Sequence, residues 1–376
     1  MSIPETLFWF CVSLLVVVYI SYYFICLYVI KTKKLRVKKN PKFRPKVSFV
    51  IPTWNEEKTI SGKLKNTLAL DYPKNKLEII VIDSGSTDKT KSIVGKFRRV
   101  KLIAEKERKG KADALNKVFK KCIGNIVVIS DSDCRLDKNI LKKSMPYFFD
   151  SKVGALTGRQ ILFNSGENLA TKTEQKYRNF YFNIRKAESI IDSTLVFHGE
   201  FSAFRKELLD NIFSDSVADD SELALRIRKK KYKALIIWDA IYREYAPNKL
   251  SDRMKQKYRR AQGLVQIMSR FFPTFFFNPE YGYFGMLIFP TEFFMHVISP
   301  FFLLIAAVTF FLLPVTTMLI LGGLILISLL IPQFRSFFFT FLHSQYACLR
   351  GILSYLFKGS SFQWEKVHGT RRYKND

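Results

Sequence analysis

Residues 7–30, LFWFCVSLLVVVYISYYFICLYVI, run for 24 positions without a charged side chain. A run of that length spans a hydrocarbon core as a helix, because only a helix satisfies its own backbone polar groups there. It has no basic segment before it and no small-residue cleavage site after it, so it reads as an anchor rather than a signal peptide. The next stretch, residues 31–46, KTKKLRVKKNPKFRPK, carries nine Lys/Arg and no acid. By the positive-inside rule that flank is cytosolic. A second apolar region, about 285–331, is broken by Pro290, Pro300 and Pro314 and reads as two spans, 285–313 and 315–331. The last apolar piece, 334–357, contains Arg335, His343, Gln345 and Arg350, which suits an interfacial or re-entrant helix. The closing segment is basic again, so domain and tail are expected on the same, cytosolic side of the plasma membrane, with an even number of spans between them.

The chain holds 61 Lys+Arg against 32 Asp+Glu, a net charge of +29. Much of that charge gathers beside the apolar spans, where each basic residue gains about 1 kcal/mol from anionic headgroups. The partner expected from the charge is therefore a membrane, with no nucleic acid. Cysteines at 11, 26, 122, 134 and 348 form no C-x-x-C pair, so neither disulfides nor zinc is indicated.

Between the spans, short apolar runs alternate with helical stretches. VSFVI (47–51), LEIIVI (77–82), VKLIA (100–104) and IVVIS (126–130) read as buried strands, and 56–70, 87–97 and 110–121 as helices. The alternation predicts an α/β domain, Rossmann-like, with a mostly parallel sheet and helices on both faces. Ligands of such sheets bind beyond the carboxyl ends of the strands. Those ends carry Pro52-Thr53-Trp54-Asn55-Glu56, Asp83-Ser84-Gly85-Ser86-Thr87-Asp88 and Asp131-Ser132-Asp133. Acids converging on one edge repel unless a cation joins them, and Mg²⁺ or Mn²⁺ held by one or two carboxylates plus substrate phosphates meets that need. Asp131 and Asp133 are the candidate metal ligands; an Asx-turn or helix cap is the plainer reading of the same residues. No G-x-G-x-x-G follows the first strand and no P-loop is present, so dinucleotide and P-loop sites are excluded.

IPTWNEE, VIDSGSTD, KADALN, SDSDC, HGEFSAFRKELL, ADDSELALRI and QKYRRAQG occur in an order that resembles the inverting family-2 glycosyltransferases. That group includes hyaluronan, chitin and cellulose synthases and dolichyl-phosphate sugar synthases. The likeness covers roughly residues 45–265, and FQWEKVHGTRR resembles the W-x-x-x-x-R tail of many members. It implies a GT-A fold that binds a UDP- or GDP-linked sugar together with Mn²⁺ or Mg²⁺. Thr53, Asn55 and Glu56 match the first nucleotide-binding motif, Asp83 the acid that meets base or ribose, and Lys111 the lysine beside the nucleotide. Asp131 matches the acid facing ribose and metal, and Asp133 the metal ligand. Asp220, from ADDSELALRI, matches the catalytic base; first-turn acids favoured by a helix dipole are the alternative there. Arg259 matches an arginine that meets the diphosphate, while His198, Gly199 and Gln256 fall on the acceptor side.

The pattern departs at Arg260, which stands where processive synthases carry the tryptophan under the acceptor sugar. The implied reaction is transfer to a lipid-linked or membrane-associated glycan acceptor, with processive polysaccharide synthesis and a metal-dependent nucleotidyltransferase as alternatives. The expected organisation is an anchor (1–30), a basic linker (31–46), the GT-A domain (47–248) and an amphipathic interface helix (249–280). A membrane region (281–357) and a basic tail (358–376) follow.

Overall fold

The computed structural model describes residues 2–358 apart from 168, 248 and 249. The apolar runs become β1 (Val47–Thr53), β2 (Leu77–Asp83), β3 (Val100–Ala104) and β4 (Ile126–Ile129). They pair in parallel in the order β3-β2-β1-β4. The β-branched side chains of β1, β2 and β4 are buried on both faces, as a sheet covered by helices requires, while those of the edge strand β3 are only partly buried. Phe49 and Ile51 of β1 pack with Ile60 and Leu64 on one side. Val50, between them, packs with Leu115 and Val118 on the other.

The chain then completes the sheet with β5 (Arg135–Leu136), β6 (Val153–Leu162), β7 (Ser202–Arg205) and β8 (Lys233–Glu244). β7 is antiparallel to both β4 and β6, β8 is parallel to β6, and β5 closes the edge antiparallel to β8. The parallel half is thus joined to a mixed half, and β7 brings the second half of the chain beside the end of β4. The helices of the domain are α2 (Ile60–Leu68), α3 (Thr90–Gly95), α4 (Lys111–Phe119), α5 (Ile140–Ser144), α6 (Leu169–Ile191) and α7 (Asp219–Lys229).

The helix before the domain is α1 (Ile3–Thr32), and the amphipathic helix after it is α8 (Leu250–Phe275). Among the described residues two helices suit a membrane crossing by length and composition, α1 and Phe284–Phe310. The second expected span is the helix Val315–Leu329, and the expected interfacial piece is the helix Pro332–Lys358. Tyr22, Cys26 and Val29 of α1 pack on Ile184 and Ala187 of α6, so α1 rests on the domain itself. Tail residues 359–376, with the FQWEKVHGTRR motif, lie outside the described residues.

Candidate active site

The loops beyond β1 and β2 are laced to each other. Asn55 adopts a left-handed backbone (φ 53°), which Asn tolerates better than most residues. Its Oδ1 accepts from the amide of Thr87 at 2.7 Å, and its own amide donates to Ser86 Oγ at 2.7 Å. Asp83 is fully buried; it accepts from the Ser86 amide at 2.9 Å, from Ser86 Oγ and from Thr53 Oγ1 at 3.4 Å. Glu56 accepts from Thr59 Oγ1 at 2.8 Å, while its amide donates to Thr90 Oγ1. Thr53, Asn55, Glu56 and Asp83 are thus brought together at one strand-end cluster. Asp83 spends its carboxylate on shaping it. Arg108 lies 3.5 Å over the ring of Trp54 beside these loops, a pairing the sequence reading did not single out.

At the end of β4, the Asp131 amide donates to the carbonyl of Gly199 at 3.0 Å. Lys111, the first residue of α4, places Nζ 3.0 Å from Asp131 Oδ1 and 3.2 Å from Asp219 Oδ2. Burial opposes the charge on Lys111, but Asp131, Asp219 and Asp220 outweigh it and hold the amine protonated. A Cβ on Gly199 would come within 2.7 Å of Asp131 Oδ2 and 3.1 Å of Lys111 Nζ, so a side chain there would have to displace the tips of these two charged groups.

Asp219 and Asp220 open α7, where the helix dipole favours acids. Asp220 accepts from the Ser221 amide at 2.7 Å. Burial first, and then the charge of Asp219, push its carboxyl up to about 7. Asp219 and Asp220 therefore sit in one turn in different states: one ion-paired, the other poised near neutrality.

A cavity of about 210 Å³ opens beside these groups. Lys111, Asp131, Gly199, Asp219, Asp220 and Arg259 line it, and it extends to Met295, His296, Gln345 and Cys348 of the apolar C-terminal helices. Arg259, from α8, feels the charges of both Asp131 and Asp133. Gln256 sits one turn earlier on α8 and is not among the lining residues. His198 does line the cavity, and Arg185 Nη1 lies 3.1 Å from its Nε2. Burial, together with Arg185, lowers the His198 pKa and keeps the ring neutral, so Nε2 accepts from the guanidinium.

The cavity wall also holds charges that sequence reasoning missed. Arg178 of α6 reaches Glu174 at 3.1 Å and Glu244 of β8 at 2.6 Å. Arg260 lies 3.4 Å from Glu200 and 3.6 Å from Glu244. Burial and the neighbouring Glu244 push the Glu200 carboxyl well up. Burial also acts against ionisation of Glu244, but Arg178 and Arg260 override it and hold that carboxyl down at about 2. The two carboxyls thus lie beside the guanidinium groups of Arg178 and Arg260. Arg260 is thereby committed to buried acids, at the position where the resemblance expected an aromatic ring.

The residues present fit a divalent cation of the substrate-bridged kind. Asp131 and Asp133 offer hard carboxylate oxygens one residue apart. No group of three or more His, Cys, Asp or Glu side chains able to hold a metal occurs among the described residues, so phosphate and water oxygens would complete the coordination.

The curled, mixed α/β sheet has the architecture of the GT-A glycosyltransferases, and this domain is of that fold class. Residues 48–213 match the model of Glycosyl transferase family 2. Among solved structures it is similar to the mannosyltransferase PcManGT of Pyrobaculum calidifontis, in complex with GDP-Man and Mn²⁺. The TM-score is 0.79 at 29% identity, covering 94% of this chain and 99% of that one. Among curated relatives it is 29% identical over 64% of its length to the probable glycosyltransferase YdaM of Bacillus subtilis. It is 28% identical over 61% of its length to the poly-β-1,6-N-acetyl-D-glucosamine synthase of Staphylococcus aureus. The matched part spans 60% and 57% of those two relatives.

Proposed function

We propose that this protein transfers a sugar, with inversion, from a UDP- or GDP-linked donor to a lipid-linked or membrane-associated glycan acceptor at the cytosolic membrane face. The observation that carries the reading is the Lys111 bridge between Asp131 and Asp219. It sets the candidate metal turn and the helix start bearing Asp220 on one cavity. Asp131 and Asp133 would hold Mn²⁺ or Mg²⁺, and the chemistry such an ion supplies is neutralisation of charge on the departing nucleotide diphosphate. Lys111 and Arg259 place further positive charge on that side. Asp220 takes the proton of the acceptor hydroxyl, as an inverting transfer requires of a base opposite the leaving group. The extension of the cavity to Met295 and Cys348 supports an acceptor presented at the membrane.

Transfer of one or a few sugars is favoured over processive synthesis by Arg260. Its ion pairs with Glu200 and Glu244 leave no aromatic platform at that position. The test is release of nucleotide diphosphate by the full-length protein in native membranes, from GDP-mannose and from UDP-N-acetylglucosamine, with and without Mn²⁺. Mn²⁺-dependent release from one donor is expected, together with its loss in Asp133→Ala. Equal release by that variant would overturn the metal assignment, and release from neither donor would remove both from the reading.

A further inference from the structure

We propose that Lys63 is a positioning residue for the metal turn Asp131-Ser132-Asp133 and locks that turn to the acceptor-side loop; the proposal rests on the glycosyltransferase reading above. Lys63 lies on the core face of α2, among Ile60, Leu64 and Thr67, and is fully buried. A lysine is rarely placed there without an acid beside it, because burying an amino group is costly unless its donors are met. Among the described residues its polar side-chain contacts include no carboxylate. Nζ donates instead to Ser130 Oγ at 2.6 Å, to Cys134 Sγ at 3.0 Å and to the Cys134 carbonyl at 3.3 Å.

Those contacts grip both ends of the five-residue segment that carries the two acids. They also reach across it. Ser130 Oγ in turn donates a hydrogen bond to the carbonyl of Glu200, and Cys134 Sγ lies 3.2 Å from the same oxygen. One residue away, the Asp131 amide is held by the Gly199 carbonyl. A single amino group behind the sheet therefore organises a hydrogen-bonded knot whose other side is the wall of the cavity. An apolar side chain of similar length would keep the core filled but remove these hydrogen bonds to Ser130 and Cys134. The turn would then lose the order that aims Asp131 and Asp133.

The test uses the full-length protein in detergent micelles, with Lys63→Met as the near-isosteric variant. Binding of Mn²⁺ is followed by loss of its free EPR signal in the presence of GDP and, in parallel, of UDP. Loss of an outer partner of a metal ligand typically weakens metal affinity by about 10–100-fold, and a loss of that order is expected. Hydrogen exchange without metal gives the second measurement. Amides of residues 131–135 are expected to exchange faster in the variant, while those of β1 and β2 stay unchanged. Unchanged or tighter Mn²⁺ binding overturns the proposal, as does exchange that rises equally throughout the domain.

If Lys63→Met does not fold, Ser130→Ala removes the central acceptor of the knot. It is expected to shift both measurements in the same direction, and no shift overturns the proposal. Failure of the wild type to bind Mn²⁺ with either nucleotide would sink the glycosyltransferase reading instead. The exchange data would still decide whether Lys63 holds the turn.

Discussion

At the scale of single residues, the adjacent Asp219 and Asp220 divide the work. Asp219 is ion-paired to Lys111, whereas Asp220 is raised to about 7 by burial and by Asp219. A base must be deprotonated to act, so activity is expected to rise with pH through about 7. Well below that value it falls about tenfold per unit, in proportion to the ionised fraction. Asp220→Asn keeps the size of the side chain and removes its basicity, so kcat is expected to drop by about 10²–10⁴-fold with donor binding little changed. Asp219→Asn takes away a charge that raises the Asp220 pKa, and the acid limb should move to lower pH. It also breaks the pair with Lys111, so it is expected to raise the donor KM. A pH–rate series on the three proteins checks all of this. Equal small losses in both variants would return the two acids to the plainer role of favouring a helix start.

At the scale of elements, a prediction concerns the contact between α7 and α8. Gly263, the last residue of QKYRRAQG, lies so close to the start of α7 that a Cβ there would be 3.0 Å from the Cβ of Ala218. Gly263→Leu is expected to push α8 from the turn bearing Asp219 and Asp220. The cost is about 1–3 kcal/mol of stability, the usual range for overpacking, with loss of transfer activity in protein that remains folded. Thermal melting and donor turnover measure the two effects separately.

The strands β1 to β4 were legible because each is a compact β-branched run. Their polar ends were legible because acids at a sheet edge need a reason. The ion-pair cluster of Arg178, Glu200, Glu244 and Arg260 was not. Its members come from α6, the loop before β7, β8 and α8, and only the β6–β7–β8 pairing brings them together. Arg260 read as a missing tryptophan; its ion pairs with two distant glutamates leave no trace in local spacing. Lys63 was hidden for a related reason, since a lysine on a helix face looks solvated until the strand behind it is placed.

At the scale of the whole molecule, the decisive question is on which side of the membrane the chain stands after its last apolar helix. We infer that α1 and Phe284–Phe310 cross, and that Val315–Leu329 brings the chain back. Fifteen helical residues rise only about 22 Å, short of a core of about 30 Å, so the flanking turns must contribute to that return. Packing supports it. The helix Pro332–Lys358 lies along α8, with Ala347 and Cys348 against Ala261 and Tyr346 edge-on to Tyr258. A Cβ on Gly351 would come within 2.9 Å of the Gln262 amide nitrogen, so the two backbones nearly touch. Ser344 also donates to Tyr177 of α6. A helix held this way by the domain's own elements ends on the domain's side, which requires an even number of crossings between the domain and this helix. All five native cysteines are buried, so engineered cysteines label against a low background. Lys34→Cys in the basic linker, Lys142→Cys in the domain and Thr370→Cys in the tail are all expected to resist a membrane-impermeant thiol reagent in intact cells. All three are expected to react once the membrane is permeabilised. Labelling of Thr370→Cys alone in intact cells would mean an odd number of crossings after the domain, while labelling of Lys34→Cys and Lys142→Cys would invert the orientation and place the donor site on the wrong side for cytosolic nucleotide sugars.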